Sequence, residues 1–205
     1  MSRLYSFIAV TLVAALLGGL AIFVFTDQGN DRFASCRTSK IAGGKATIGG
    51  PFTLLDRNGK TVTDKDVITR PSLIYFGYTY CPDVCPMDNA RNAQASELLK
   101  KMGYDVQPVF ISIDPERDTP AVVGEFADAF GAGMVGLTGS PEQVKAASRA
   151  YKTYYRKNGE GEDYLMDHST FTYLVLPKYG FVDFFRRDIP AKDMARTVAC
   201  FIDKS

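Results

Sequence analysis

The chain has 205 residues, 46% hydrophobic, 23% charged and 12% aromatic, a globular composition of a size suited to one ordinary domain. Its 24 basic and 23 acidic residues leave no positive field for nucleic acid, and four cysteines are too few for a disulfide-built scaffold. A single histidine, His168, excludes all-histidine metal sites, the two-histidine metalloprotease motif and two-histidine zinc fingers.

Residues 5–25 form a run of 21 residues without a charge. As a helix the run is roughly 31 Å long, the thickness of a hydrocarbon core, and it lacks the polar face of a buried core helix. A cleavable signal peptide has an apolar region of about 7–15 residues ending at a small-x-small site. This run is longer and ends in Phe23, Val24 and Phe25, so it reads as an uncleaved transmembrane anchor. A lipid-bearing Cys36 fits less well, because the polar segment 27–32 separates it from the run. Arg3 precedes the span while Asp27 and Asp31 follow it, which keeps residues 1–4 cytoplasmic and exports the body. Residues 26–48, rich in Gly, Ser, Thr, Lys and Arg, read as a tether, and 49–205 as the folded domain.

Within the body, segments 51–56 and 59–63 flank Arg57-Asn58-Gly59, an Asn-Gly turn suited to a hairpin. Segments 72–78 and 108–113 are compact apolar runs typical of buried parallel strands. Between them, 87–102 carries Met87, Ala90, Gln94, Leu98 and Met102 along an expected helical stripe. Two further helices are predicted over 119–130 and 141–151, opened by Thr119-Pro120 and Ser140-Pro141. A second hairpin, 171–176 with 181–185, turns at Pro177-Lys178-Tyr179-Gly180, and a last helix runs over 190–202. The order β-hairpin, βαβ, αβα, β-hairpin, α predicts a three-layer α/β sandwich with a mixed central sheet.

The chemistry is concentrated where the first long strand ends, in Cys81-Pro82-Asp83-Val84-Cys85-Pro86. Loops after the carboxyl ends of parallel strands are the usual place for it. A helix begun at Pro82 would contain Pro86 without the N–H it needs, so the helix is expected to start near Pro86, with Cys85 at its cap. The helix dipole then favours thiolate at Cys85. Two cysteines so placed are not merely small buried hydrophobes; they can close a disulfide or grip a soft metal. His168 precedes the apolar strand 171–176 and can approach them. Two thiolates and one imidazole suit Cu(I); Cu(II) would add water or a carboxylate, and a structural zinc site a fourth ligand. Asp167 is either a partner that orients the imidazole or a solvent-exposed loop acid.

These residues resemble the Sco/SenC family. The resemblance rests on FGYTYCPDVCP (76–86), FISIDPERDTP (110–120) and DYLMDHSTFTYLVLP (163–177), in family order, and spans roughly residues 45–203. It implies a membrane-tethered, thioredoxin-like copper-binding chaperone for cytochrome c oxidase assembly, with Cys81, Cys85 and His168 as copper ligands. The implied partner is the oxidase subunit that holds the dinuclear copper centre, with other copper chaperones or thiol reductants as further partners. The alternative is an enzyme, a thiol–disulfide oxidoreductase acting on that subunit's cysteines through Cys81 and Cys85, or a redox sensor. Oxidoreductases of this fold usually space their cysteines by two residues, not three, and do not need His168. Asp114 and Asp118 fall in a family segment where they organise the site's rim or serve as turn and cap residues. Many members have a histidine where this chain has Tyr80. The expected location is a bacterial inner membrane with the body in the periplasm; the mitochondrial inner membrane is the alternative, disfavoured by the lack of an Arg- and Ser-rich transit peptide.

Cys36 and Cys200 lie outside these motifs. With two of four cysteines committed to the site, an exported protein has one spare pair, and a Cys36–Cys200 disulfide would pin the tether to the last helix. A buried free Cys200, or an exposed Cys36 paired between chains, are the alternatives.

Overall fold

The structure is a computed structural model that describes residues 2–27, 31–37 and 48–205. They fall into two units, Met1–Ser35 and Cys36–Ser205. The first unit holds helix α1 (Ser2–Asp27), 26 residues long, which contains the expected membrane span. Its described apolar side chains, Phe7, Val10 and Leu16 among them, are exposed rather than packed. Side chains are described for only part of α1, and counted over the described residues no helix is long and apolar enough to cross a membrane. Of the expected tether, residues 28–30 and 38–47 lie outside the described residues. Its described part contains a turn in which the Asp31 carboxylate accepts the Phe33 amide at 3.0 Å.

The second unit opens with the predicted hairpin, β1 (Thr53–Leu55) paired antiparallel with β2 (Thr61–Thr63). Asp56 shapes its turn by accepting the amides of Asn58 and Lys60, both at 2.9 Å, and Gly59 takes φ +75°, the left-handed region that glycine enters without strain. After the single-turn α2 (Asp64–Val67) comes the βαβ unit: β3 (Ser72–Gly77), α3 (Val84–Lys101) and β4 (Gln107–Ser112). Every residue of both strands is buried, which is why they read as continuous apolar runs and not as alternating ones. Leu73, Ile74, Phe110 and Ile111 are fully inaccessible, and each such side chain contributes roughly 1.5–3 kcal/mol through burial.

Helices α4 (Pro120–Asp128) and α5 (Pro141–Ala150) start where their caps predict. The Thr119 hydroxyl accepts the Val122 amide, and Ser140 forms a reciprocal box with Gln143; such caps stabilise a helix by about 1 kcal/mol each. The strand between the two helices is β5 (Val135–Leu137). Next come β6 (Tyr155–Asn158) and β7 (Leu165–His168), paired only with each other, then the predicted hairpin β8 (Thr172–Leu176) and β9 (Gly180–Phe185), and finally α6 (Ala191–Asp203). The central sheet has the order β5-β4-β3-β8-β9, parallel across β5, β4 and β3 and antiparallel across β3, β8 and β9. It is an α/β fold with a mixed central sheet.

The predicted stripe of α3 is corrected. Met87, Ala90, Gln94 and Met102 are exposed, and the helix buries Asp88, Asn89, Asn92, Ala93, Ala95, Ser96 and Leu99. Small and polar side chains go inward because each has a buried partner: Asn89 donates to the Cys85 carbonyl at 2.8 Å and Ser96 to the Val106 carbonyl at 2.6 Å, while the Asn92 amide oxygen accepts the Thr172 hydroxyl at 2.9 Å. Helix α6 follows its predicted pattern more closely, burying Ala191, Met194, Ala195 and Val198, although Ile202 is only half-buried. A disulfide joins Cys200 of α6 to Cys36, with their Cα atoms 5.7 Å apart.

Candidate metal centre

Strands β3 and β4 run parallel and end together, Gly77 opposite Ser112, so the chain leaves both at one edge of the sheet. Strand β8 runs antiparallel to β3, with Thr172 opposite Tyr75, which delivers the residues before β8 to the same edge. Three segments meet there: the loop after β3 with Cys81, the turn after β4 with Asp114 and Asp118, and the end of β7 with His168.

The ligand atoms of Cys81, Cys85 and His168 all lie within 4.8 Å of one another. The Cys85 Sγ is 3.4 Å from His168 Nε2, and Nδ1 is 2.8 Å from the Ser169 carbonyl oxygen. A carbonyl can only accept, so Nδ1 carries the ring proton and Nε2 turns its lone pair to the sulfurs. The imidazole stands edge-on to the rings of Tyr75 and Tyr78, at centroid distances of 6.2 and 5.8 Å. Gly77 leaves room for the pair, since a Cβ there would fall 2.9 Å from Cys85 Sγ.

The expected helix start and the expected thiolate are both corrected. Helix α3 begins at Val84 with Asp83 at its cap, two residues earlier than predicted. Pro86 is tolerated inside the first turn, where backbone N–H groups have no helical partner anyway. This places Cys85 within the helix, fully inaccessible, and puts the Cys81 sulfur in front of the helix end, where it accepts the Cys85 amide at 3.3 Å. Cys81 is therefore the thiolate: hydrogen bonding from the Cys85 side chain, and then from the amides of Asp83 and Cys85, outweighs burial and holds it well below the ordinary thiol range. The adjacent Cys81 sulfur and burial push Cys85 up, so one proton of the pair resides on Cys85. Iodoacetamide is expected to label Cys81 first, at a rate that stays nearly flat between pH 8 and 6, whereas an ordinary thiol slows about tenfold per pH unit below its pKa. Mass spectrometry of peptides carrying each cysteine checks this; faster labelling of Cys85 would reverse the assignment.

Asp167 does not touch the imidazole. Successive residues of a strand face opposite ways, so Asp167 points away from His168 and pairs across the arm with Arg156 at 3.3 Å and Asn158 at 3.1 Å. The Ser169 carbonyl takes the orienting role instead. Asp118 is wholly buried and anchors the cysteine loop: it accepts the Thr79 hydroxyl at 2.5 Å, the Thr79 amide at 3.1 Å and the Ser112 hydroxyl at 2.6 Å. Burial raises its pKa, against the lowering effect of those three bonds. Asp114 pairs with Arg117 at 2.7 Å and accepts the Tyr164 hydroxyl at 2.6 Å. Arg117 and Tyr164 are site residues that the sequence does not mark by type. The i, i+3 spacing of Asp114 and Arg117 was a signal for the first; nothing local marked the second. Tyr80 is largely exposed, with its ring centroid 4.6 Å from the Arg117 guanidinium carbon.

Two sulfurs and the Nε2 of an imidazole form a donor set that fits Cu(I). A closed zinc site wants a fourth ligand, and among the described residues no other His, Cys, Asp or Glu joins this group.

Comparison with known proteins agrees with this geometry. Residues 41–203 match the family model described as SCO1/SenC. The chain is 50% identical over 203 residues to Protein SenC of Rhodobacter capsulatus, covering 98% of this chain and 91% of that protein. The crystal structure of Arabidopsis thaliana ScoI with copper bound is 42% identical, with a TM-score of 0.72 over 76% of this chain and 99% of that one. BsSco, a member of the Sco family of cytochrome c oxidase assembly proteins in which a disulfide switch was identified, is 26% identical, with a TM-score of 0.62 over 79% of this chain and 97% of its own. These likenesses give the body a Sco-like thioredoxin fold. A family match across four-fifths of the chain and half its residues shared with SenC settle the kinship: the chain belongs to the SCO1/SenC family.

Proposed function

We propose that this protein is a copper-binding chaperone, anchored by residues 5–25, that carries copper as cargo to the dinuclear copper centre of a cytochrome c oxidase subunit. The observation that carries the reading is the convergence of Cys81, Cys85 and His168, with Nε2 free to donate and the sulfurs sharing one proton. Copper-bound Arabidopsis ScoI and the oxidase-assembly role attached to BsSco support the cargo and the destination. In this reading residues 1–4 are cytoplasmic, 26–48 form the tether and 49–205 the copper domain, in the periplasm of a bacterial inner membrane. The two thiols bind the metal as thiolates, the imidazole completes the set, and the surrounding tyrosine rings exclude water.

A second reading is favoured by one specific feature. A thiolate at Cys81 backed by a thiol at Cys85 is also the arrangement that attacks a disulfide and then resolves the mixed disulfide, so the same pair can reduce the oxidase subunit's cysteines. Copper analysis separates the two. After reduction and anaerobic loading with Cu(I), the full chain is expected to retain one copper per molecule through gel filtration. No retained copper, with disulfide-reducing activity intact, would replace the first reading by the second.

A further inference from the structure

The arm formed by β6 and β7 carries His168 and, among the described residues, belongs to no larger sheet, so sheet pairing does not fix its position against the cysteines. Side chains must do so, and a polar set that spans three segments converges on Arg117. Its Nε donates to Asp114 at 2.7 Å and its Nη1 to the Glu162 carbonyl, in the turn of the arm, at 3.0 Å. Its guanidinium carbon lies 3.6 Å from the Tyr164 ring centroid and 4.6 Å from that of Tyr80, next to Cys81. Nη2 is buried without a hydrogen-bond partner, and the faces of those rings supply the negative potential it lacks. Tyr164, itself buried, closes the set by donating to Asp114 at 2.6 Å. One guanidinium thus ties the turn after β4, the cysteine loop and the arm together. Other contacts also reach the arm: Lys157 pairs with Glu116 at 3.0 Å and lies 3.7 Å from the Tyr164 ring centroid, the Tyr78 hydroxyl meets the Met166 backbone, and Met166 and Tyr155 pack against the core.

We propose that Arg117, with Asp114 and Tyr164, is a latch that positions the β6–β7 arm, and through it His168, against Cys81 and Cys85. The inference rests on the copper reading for its consequence but not for its geometry. Arginine is required because only a planar fork can bond a carboxylate and a carbonyl while stacking on aromatic faces; lysine offers a point charge. When the latch is lost the dithiol stays where α3 and Asp118 hold it, and the imidazole becomes the variable ligand.

The test uses the full chain with Arg117→Lys, Tyr164→Phe, His168→Ala and, as a control, Lys192→Ala at an exposed position of α6. In the reduced, metal-free protein, backbone amides of β6 and β7 are expected to exchange hydrogen about tenfold faster in Arg117→Lys and Tyr164→Phe, with β3 and β4 amides unchanged. After Cu(II) loading, both variants should keep sulfur-to-copper charge transfer while their copper resonance shifts toward that of His168→Ala. Lys192→Ala should match wild type in both readouts. Unchanged arm exchange in both latch variants overturns the proposal, as does a loosened arm with a wild-type copper signal. Should Arg117→Lys fail to fold, Tyr164→Phe, which removes one oxygen, decides. Should wild type hold no copper, the copper reading falls and arm exchange alone decides the latch.

Discussion

Replacing Cys85 by serine is expected to abolish tight Cu(I) binding while leaving the chain folded. Cys85 is one of two sulfurs in a set with no spare soft ligand, and an alkoxide or hydroxyl is a poor donor to Cu(I). The variant removes a buried thiol and introduces a hydroxyl of similar size, so the cost in stability is small beside the loss of metal. Cys81→Ser should act as strongly, and it also removes the acceptor of the Cys85 amide at the start of α3. His168→Ala should weaken and reshape the site without emptying it, because both sulfurs remain. Affinity should fall with pH. Cys85 keeps its proton through the neutral range and must release it to bind, so each unit of acidification costs about tenfold in apparent affinity per proton released. Competition with a Cu(I) chelator across pH 6–8 measures both effects. Wild-type affinity in either serine variant, or affinity independent of pH, would contradict the ligand assignment.

The second large effect concerns stability. Cys36 and Cys200 are bonded across a sequence separation of 164 residues, linking the segment before the domain to α6. Closing so long a loop restricts the unfolded chain, and removing a native link of this kind costs roughly 2–5 kcal/mol. For a chain of this size that corresponds to a drop in Tm of about 5–15 °C. The Cys36→Ser variant should show that drop under non-reducing conditions and still bind one copper, since neither cysteine belongs to the ligand group. Peptide mapping without reductant provides the companion result, a crosslinked Cys36–Cys200 peptide. An unchanged Tm together with a freely alkylated Cys200 would exclude the link.

What the sequence made legible follows from signals that are local. Residues 72–77 and 107–112 are strands buried on both faces, so their hydrophobicity is unbroken and visible. Thr119 and Ser140, each followed by proline, mark helix starts because the cap geometry involves neighbours in the chain. The two cysteines and the histidine stood out by residue type. The features that stayed hidden depend on tertiary partners. Strand β6 reads Tyr-Arg-Lys-Asn, nearly all exposed, and has no apolar alternation to betray it. Helix α3 buries polar residues that only make sense beside Val106 and Thr172. A thiolate at Cys85 follows only from a helix start near Pro86; with the start at Val84, two residues earlier, that sulfur moves from the end of the dipole into the helix. Of the two roles open to Asp167, the outward-facing acid holds and the imidazole partner does not, because the segment around His168 is a strand, in which neighbouring side chains face opposite ways.

X-ray absorption at the copper edge of the Cu(I)-loaded full chain tests the central claim most directly, because it reads the ligand atoms themselves. Binding by Cys81, Cys85 and His168 predicts a first shell of two sulfurs and one nitrogen, reduced to sulfur alone in His168→Ala. A shell of nitrogen and oxygen only, or sulfur scattering that survives replacement of both Cys81 and Cys85, would contradict it.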